Sequence, residues 1–467
     1  MGIEGVLLLL LAGLFLGALF LGVPVGFALG GAAVLTTAVA VMSDSALGTA
    51  SGLDFQVFSL VVDRVYGLMG NWVLVALPMF ILMGSFLDKS GLAERLMHSL
   101  GHASRRFPGG LGLSVTLIGV LLAASTGIIG ASVVLLGMVT LPVMLKAGYD
   151  KRLAVGTVCG AGTLGILIPP SIMLIIMADK LALSVGDLFL AAVVPGLGLA
   201  GLYAAFIVGC AVFRPSLVPK AEAAEDDDEP RPTLGALVMA IVPTLLLIFL
   251  VLGSIFYGVA TPTEASGLGA GGALLLAALN GRMNLTVLRE SLEGTLNTMG
   301  FLFAIFIGAT CFSLVLRLLG GDELVAGVLR DWDAGDTVKI VAVLLVVFLL
   351  GFFLEWIEIT LIVLPIVGAV ILQMDLPGVE GTGMDPTSRP ALVWFCMLFA
   401  MTLQTSFLTP PVGFALFYVK GVAPPGVTIG DVYRGAVPFV VLQLIALVVL
   451  LCFPRLALWL PAMQYGP

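Results

Sequence analysis

Two proline pairs interrupt apolar segments of the chain that are otherwise long enough to form membrane-spanning helices. They are Pro169-Pro170 and Pro410-Pro411. A proline inside a helix removes a backbone donor and clashes with the carbonyl one turn earlier, so each pair is expected to break its helix and free carbonyl oxygens. At membrane depth such carbonyls are tolerated where they line a wet cavity, and there they can ligate a cation. A single proline pair often only kinks a helix, but two proline pairs at matching positions favour a functional role.

The residues around both breaks are small or carry hydroxyl groups, and such oxygen ligands suit Na⁺. The candidate ion ligands beside the breaks are Gly162, Thr163, Gly165, Thr405, Ser406 and Thr409. Ser171 and Gly413 lie in the same two segments and are candidate substrate contacts. The sequence therefore predicts two sites of similar composition.

Two further polar stretches are expected at the tips of helical hairpins. The first covers residues 124–127 with Ser132 nearby, and the second covers residues 355–360 with Glu355 and Glu358. An acid at membrane depth is costly to bury and is a functional candidate, whereas at a shallower depth it would simply be solvated. Ser132 fits helix packing as well as substrate coordination. Helix N-termini at these tips carry unpaired N–H groups and partial positive charge, which favour a carboxylate substrate between them.

The composition indicates that these elements are helices in lipid. Of 467 residues, 60% are apolar and 11% are charged, and the mean hydropathy is +1.16. So few polar groups cannot coat a soluble domain of this length, and helices satisfy their own backbone in lipid. The chain lacks a GxxxxGK[ST] phosphate loop and has two histidines, which argues against ATP binding by a phosphate loop and against zinc or histidine catalysis. We predict no enzyme, no cofactor and no nucleic-acid partner.

The distribution of basic residues predicts two halves of opposite orientation. Basic connections flank residues near 109–147 and acidic connections flank residues near 335–373. By the positive-inside rule each of these segments starts and ends on one side of the membrane, as a re-entrant hairpin does. Residues 1–213 and 233–467 then form an inverted repeat joined by the charged cytoplasmic linker 214–232, with both termini in the periplasm.

Two short internal matches support this repeat. Residues 164–172 (LGILIPPSI) match residues 405–413 (TSFLTPPVG), and residues 183–187 (LSVGD) match residues 427–431 (VTIGD). Inverted repeats with interrupted helices are typical of secondary transporters. The predicted fold is an all-α polytopic membrane protein with two re-entrant hairpins and two broken helices.

Four segments resemble the large membrane subunit of tripartite ATP-independent periplasmic (TRAP) transporters. They are 142–152 (PVMLKAGYDKR), 162–172 (GTLGILIPPSI), 257–265 (YGVATPTEA) and 404–416 (QTSFLTPPVGFAL). The resemblance runs along nearly the whole chain. It implies an elevator-type importer in the bacterial inner membrane that couples Na⁺ to a small organic acid. It also implies a small membrane subunit and an extracytoplasmic binding protein as partners, besides membrane lipid.

The same resemblance maps two sodium sites onto this sequence. The first combines residues 162–165 with the tip residues Ser125, Thr126 and Gly127. The second combines residues 405–409 with the tip residues Glu355, Trp356 and Ile357. Ala123 and Ala124 make the first tip poorer in serine than in many members of the family, so the choice between side-chain and carbonyl ligands stays open there.

Other interpretations concern the whole chain and two of its smaller motifs. A stand-alone sodium/carboxylate symporter of related architecture is the alternative that needs no binding protein. A membrane enzyme or a channel would need a convergent catalytic pair or a continuous polar stripe, and the sequence has neither. Glu264 is expected to cap a helix together with Thr261 or Thr263. His98 and His102 fit a surface-facing amphipathic stretch better than a metal pair.

Overall fold

The computed structural model describes residues 2–104, 107–126, 129–218, 234–380, 382–410 and 413–465. Helices and short 3-10 turns make up the regular structure in these ranges. The first half contains α1 Ile3–Phe20, α2 Val25–Leu47, α3 Val57–Met69, α4 Ala76–Lys89, α5 Leu92–Ser104, α6 Gly110–Thr126, α7 Ile129–Lys146, α8 Lys151–Thr163, α9 Ile172–Leu181 and α10 Val185–Phe213. The second half contains α11 Leu234–Phe256, α12 Pro262–Leu279, α13 Leu285–Leu318, α14 Gly321–Asp331, α15 Asp336–Leu350, α16 Trp356–Ile371, α17 Pro377–Glu380, α18 Pro390–Leu408, α19 Phe414–Val422, α20 Ile429–Cys452 and α21 Arg455–Tyr465.

Eight helices in the described ranges are long and apolar enough to cross a membrane. These spans involve α1, α2, α4 with the 3-10 turn before it, α7, α10, α13, α18 and α20. α18 is the most enclosed, because every residue from Leu392 to Leu408 is buried, whereas only 17% of the α1 span is buried. The all-helical, multi-pass membrane fold predicted from composition is confirmed, and α18 forms its centre.

The helices pack in two groups that meet along one face. In the first group α12 packs on α4, α13 packs on α2 and α4, and α1 packs on α2. In the second group α8 packs on α20, α7 and α6, while α18 packs on α20 and α15. The groups touch where α4 contacts α6 and where α13 contacts α16. Both helix breaks belong to the second group.

Glycines bring the backbones of α8 and α20 into direct contact where the two helices cross. A β-carbon added at Gly156 would overlap the carbonyl oxygen of Gly435, and one added at Gly435 would overlap the carbonyl oxygen of Arg152. α2 and α13 cross in the same way, since a β-carbon at Gly308 would overlap the carbonyl oxygen of Gly26. Small residues at such crossings allow the close approach on which helix association in lipid depends.

Replacing Gly156 by alanine should destabilise the protein, because the new methyl group would meet the Gly435 backbone and the Phe439 ring. We expect a loss of about 1–3 kcal/mol, the usual cost of overpacking, seen as a lower unfolding temperature in detergent. Gly198→Ala is the matched control, since a β-carbon at Gly198 meets nothing within 4 Å and alanine has the higher helix propensity. Equal unfolding temperatures for the two variants would contradict this reading of the crossing.

Two helix pairs occupy the segments for which hairpins are predicted. Residues 127–128 separate α6 from α7, and residues 351–355 separate α15 from α16. The outer ends of each pair lie together, because the Gly112 amide donates to the Tyr149 hydroxyl at 3.2 Å and the Asp375 amide donates to Asp336 Oδ2 at 3.0 Å. Each pair therefore runs out and back. Entry of both pairs from opposite membrane faces stays a prediction.

The second internal match has the same local structure in both halves. Ser184 caps α10 and accepts a hydrogen bond from the Asp187 amide at 3.3 Å. Thr428 caps α20 and accepts one from the Asp431 amide at 3.2 Å. Each matched segment starts a long helix with a hydroxyl at the N-cap and an acid three residues later. This likeness supports a repeat, while the division at residues 214–232 stays a prediction because residues 219–233 lie outside the described ranges.

Candidate functional site

The chain leaves the helical conformation at both proline pairs. α8 ends at Thr163, a 3-10 turn follows at Leu164–Ile166, and α9 begins at Ile172. In the second half α18 ends at Leu408 and α19 begins at Phe414. The prolines in these gaps are Pro169, Pro170 and Pro410, while Pro411 lies outside the described residues.

Hydroxyl groups near the breaks donate to carbonyl oxygens of their own segments. Ser171 Oγ donates to the Ile166 carbonyl at 2.8 Å. Thr405, Ser406 and Thr409 donate to carbonyls three or four residues earlier at 2.8, 2.8 and 2.7 Å. A hydroxyl that donates its hydrogen in such a bond keeps its acceptor lone pairs. Each of these oxygens therefore remains able to ligate a cation.

The first break lies directly against the first helix pair. A β-carbon at Gly162 would meet the Val133 side chain of α7 at 2.6 Å, and one at Gly165 would lie 3.6 Å from the Cα of Ala123 in α6. Only glycine allows the first of these approaches without displacing α7. The structure describes no side chains for the tip residues Ser125 and Thr126, and Gly127 lies outside the described residues.

The second break is covered by the turn between α15 and α16. A β-carbon at Gly351 would overlap the Oγ of Ser406, so this turn rests on the Ser406 hydroxyl. Glu355 is the N-cap residue of α16 and is half-buried, and Trp356 and Ile357 follow it as buried residues. The structure therefore places Ser406 against the turn that leads into the second tip.

A buried glutamine that was not among the sequence candidates links the two breaks. Gln404 Nε2 donates to Thr163 Oγ1 at 3.4 Å, and both residues are fully buried. Residues 163 and 404 immediately precede the matched segments 164–172 and 405–413, so this bond joins equivalent positions of the two halves. Gln404 Oε1 has no hydrogen-bond partner among the described residues. The register of the internal match was the signal that could have identified it.

A cavity of about 190 Å³ lies where the interrupted segments meet. Its lining includes the first residue of four helices, namely Ile129 of α7, Ile172 of α9, Trp356 of α16 and Phe414 of α19. The first turn of a helix has N–H groups without intrahelical partners and carries partial positive charge. Four such ends around one cavity offer backbone groups that can hold an anion.

α13 closes this cavity from the first packed group. It contributes Thr298, Phe301 and Leu302, opposite Phe407 and Tyr418 of the second group. These side chains give the cavity a mainly apolar wall around the helix ends. Glu355 also lines it, so a carboxyl group lies beside the four helix ends.

The four residues predicted to touch substrate lie around the cavity without lining it. Ser171 and Gly413 each immediately precede a lining residue. Ser132 is buried on α7, one turn into the helix. Glu358 is fully buried in the first turn of α16, and neither of its carboxylate oxygens has a hydrogen-bond partner in the described chain.

Glu264 has the capping role expected from the sequence. Thr261 is the N-cap of α12 and accepts from the Glu264 amide, while Glu264 Oε2 accepts from the Thr261 amide at 2.8 Å. This reciprocal capping box is confirmed, with Thr261 rather than Thr263 as the cap. The side chains of His98 and His102 lie outside the description, and the described part of the chain holds no cluster of three or more His, Cys, Asp or Glu suited to a metal.

The eight apolar helices and the interrupted helix pairs together define a multi-pass membrane protein. A family model for the DctM component of the tripartite ATP-independent periplasmic transporters matches residues 12–456, and the chain belongs to this family. It is therefore a transporter permease and not an enzyme. The family name describes a transporter of three parts, so this chain is one component of a larger assembly.

Relatives and solved structures agree with this assignment. The C4-dicarboxylate TRAP transporter large permease protein DctM of Vibrio cholerae is 28% identical over 97% of both chains. The sialic acid TRAP transporter large permease protein SiaM of the same species is 26% identical over 97% of this chain and 98% of that one. The YdaH transporter of Alcanivorax borkumensis has a similar fold, with a TM-score of 0.59 at 16% identity, over 89% of this chain and 90% of that chain.

Proposed function

We propose that this chain is the large inner-membrane subunit of an importer that couples Na⁺ to the uptake of a small organic acid. A small membrane subunit and an extracytoplasmic binding protein would complete the transporter. The observation that carries the proposal is the convergence of four helix N-termini on one cavity of about 190 Å³. Each helix end contributes about 0.3–1 kcal/mol toward holding an anion, so four of them favour a carboxylate without a buried basic side chain.

Glu355 supplies a physical reason for coupling to a cation. It lines the same cavity as the four helix ends. Two like charges about 5 Å apart repel by about 3 kcal/mol at an effective dielectric constant of about 20. A Na⁺ held by the second tip and residues 405–409 would offset the charge of Glu355. The carboxylate would then bind well only when the ion is present, which is the requirement of symport.

The size of the cavity favours a cargo of few atoms. Pockets for drug-sized ligands usually occupy about 300–1,000 Å³, and this one is about 190 Å³. A four-carbon dicarboxylate, the cargo in the name of one relative, suits this volume better than the larger sialic acid in the name of the other. The apolar wall would pack against the carbon chain of the acid while the helix ends hold its carboxylates. We therefore propose a short-chain carboxylate as the substrate.

The proposal is tested by succinate uptake into proteoliposomes that contain the complete transporter. Uptake should require an inward Na⁺ gradient and the binding protein. Thr405→Ala and Ser406→Ala should each raise the Na⁺ concentration for half-maximal uptake by about tenfold, because a polar contact to a charged group contributes about 1.5–3 kcal/mol. Thr37→Ala is the matched control, since Thr37 makes the same kind of buried bond, to the Ala33 carbonyl at 2.9 Å, far from both breaks.

Two outcomes would overturn parts of this function. Uptake that continues without sodium under a proton gradient would eliminate Na⁺ as the coupling ion. Uptake that is equally fast without the binding protein would favour the stand-alone sodium/carboxylate symporter.

A further inference from the structure

A second and larger cavity, of about 540 Å³, lies between the two packed groups. α3, α13 and α14 form one wall, and α16 with the end of α9 forms the other. Three basic side chains line it, Arg64, Lys180 and Arg317, against the two acids Asp322 and Glu323. The described lining therefore carries a net charge of +1 (three positive minus two negative), although the chain as a whole has a net charge of −8.

Arg64 is the basic group of this cavity that has no anionic partner. Lys180 pairs with Asp179 at 3.0 Å and Arg317 pairs with Asp322 at 3.5 Å. Arg64, by contrast, makes no ion pair or side-chain hydrogen bond with any described residue. It lies on α3, which is not one of the eight candidate spans.

Burial lowers the pKa of Arg64, and the nearby charge of Arg317 lowers it further. An anion bound between these two guanidinium groups would reduce their mutual repulsion. Guanidinium groups bind carboxylates through paired hydrogen bonds.

The large cavity adjoins the cavity at the helix breaks along two helices. On α13 the nearest lining residues of the two cavities are Phe306 and Leu302, and on α16 they are Leu361 and Ile357. Each pair is four residues apart, which is about 6 Å or one helical turn. The two cavities are therefore separated by about one helical turn of α13 and of α16, and buried apolar side chains fill that turn.

The large cavity also lies at the end of the molecule that carries acidic connections. Asn71 lines it, and Asn71 Nδ2 donates to Asp179 beside the end of α9. Asp322 and Glu323 open α14, next to the acidic segment 331–336. The topology predicted from the basic connections puts these acidic connections outside the cytoplasm. On that prediction, the cavity lies on the side from which an imported acid would arrive.

We propose that the cavity of Arg64, Lys180 and Arg317 is a waiting site that binds an incoming carboxylate before it reaches the helix-break cavity. This inference rests on the proposed function and adds a second, sodium-independent binding step to it. Lys180 and Arg317 are each paired with an aspartate, so Arg64 is the positive group that can attract an incoming anion to this cavity. The waiting site lies away from both proposed sodium sites, so its affinity does not depend on Na⁺.

Binding of succinate to the purified protein in nanodiscs, measured calorimetrically without sodium, tests this site. Wild type should bind one succinate under these conditions, and Arg64→Gln and Arg317→Gln should each weaken this binding by about tenfold or more, the effect of losing a charged contact. In uptake assays the same variants should raise KM with little change in the maximal rate, because the transport site itself is intact. Arg64→Lys, which keeps the charge but not the planar fork, should restore part of the affinity.

Arg330→Gln is the matched control, because Arg330 lies on α14 outside the lining of both cavities, and its side chain bonds to Gln373 Oε1 at 3.3 Å and to no other described residue. It should leave sodium-free binding unchanged. Absence of sodium-free binding in wild type, or equal binding in wild type and Arg64→Gln, would overturn the waiting site. Native mass spectrometry that finds phosphatidylglycerol retained by wild type, lost in both arginine variants and not displaced by succinate would assign the cavity to a lipid headgroup instead. Failure of Na⁺-driven uptake with sodium-free binding preserved would count against the proposed coupling and not against this site.

Discussion

Uptake by the Thr298→Asp variant should fall by more than about 100-fold, because the new carboxylate adds about 3 kcal/mol of repulsion at about 5 Å from the cargo. Thr298 lines the helix-break cavity from α13, and its hydroxyl donates to the Gly294 carbonyl at 2.9 Å. Residue 298 lies on the packed group opposite the second tip, whereas Glu355 belongs to that tip. A Na⁺ in the proposed site is therefore not placed to offset the charge of an aspartate at residue 298. The measurement is the initial rate of succinate uptake into proteoliposomes.

Thr298→Asn separates charge from shape in this experiment, because asparagine has nearly the size of aspartate without its charge. We expect the asparagine variant to keep most of the uptake rate. Similar losses in both variants would show that size or polarity, and not charge, matters at residue 298. Unchanged uptake by the aspartate variant would mean that the cargo does not approach α13.

The helix breaks could be predicted from the sequence because their cause is local. A proline pair at residues 169–170 prevents helix continuation wherever the segment lies, and α8 and α9 stop and start around it as expected. The matched segments 183–187 and 427–431 likewise encode their own N-caps, at Ser184 and Thr428. Such signals act over a few residues, so a single sequence contains them in full.

The lining of the helix-break cavity could be predicted only in part, because much of its chemistry belongs to the backbone. Ile129, Ile172 and Phe414 line it as the first residues of their helices, and their apolar side chains give no hint of anion binding. The small and hydroxyl residues that the sequence indicates, Ser171 and Gly413, are their neighbours. The sequence also predicts carboxylate binding by helix N-termini at the hairpin tips, but only the packing shows that α9 and α19 start at the same cavity as α7 and α16.

The atomic contacts between residues that are far apart in the chain could not be predicted from local sequence patterns. The approach of Gly351 to Ser406 joins residues 55 positions apart, and nothing near either residue encodes that distance. Gln404 and Thr163 also meet across the two halves, although for this pair the register of the internal match was a usable signal. The sequence showed which residues have ligand chemistry, whereas packing decides which of them share a site.

Gly351→Ala should raise the Na⁺ concentration for half-maximal uptake by about tenfold or more, on the order of the 1.5–3 kcal/mol carried by a polar contact to a charged group. The added methyl group overlaps the Ser406 Oγ. Rotation of this hydroxyl, at the cost of its bond to the Leu403 carbonyl, removes one overlap. The methyl group would still lie 2.8 Å from the Ser406 Cβ, so the turn must also shift away from Ser406. Gly294→Ala is the control, because a β-carbon at Gly294 on α13 meets nothing within 4 Å.

A double-mutant cycle shows whether Gly351→Ala changes the sodium requirement through the Ser406 hydroxyl. If Gly351 acts by positioning the Ser406 hydroxyl, Gly351→Ala should add little to the sodium requirement of Ser406→Ala, because the group it displaces is already missing. Independent effects would instead multiply, giving about 100-fold for two changes of about tenfold each. The sodium dependence of uptake is measured for the two single variants, the double variant and wild type. Multiplying effects would show that the turn between α15 and α16 supports the ion through its own carbonyls and not through Ser406.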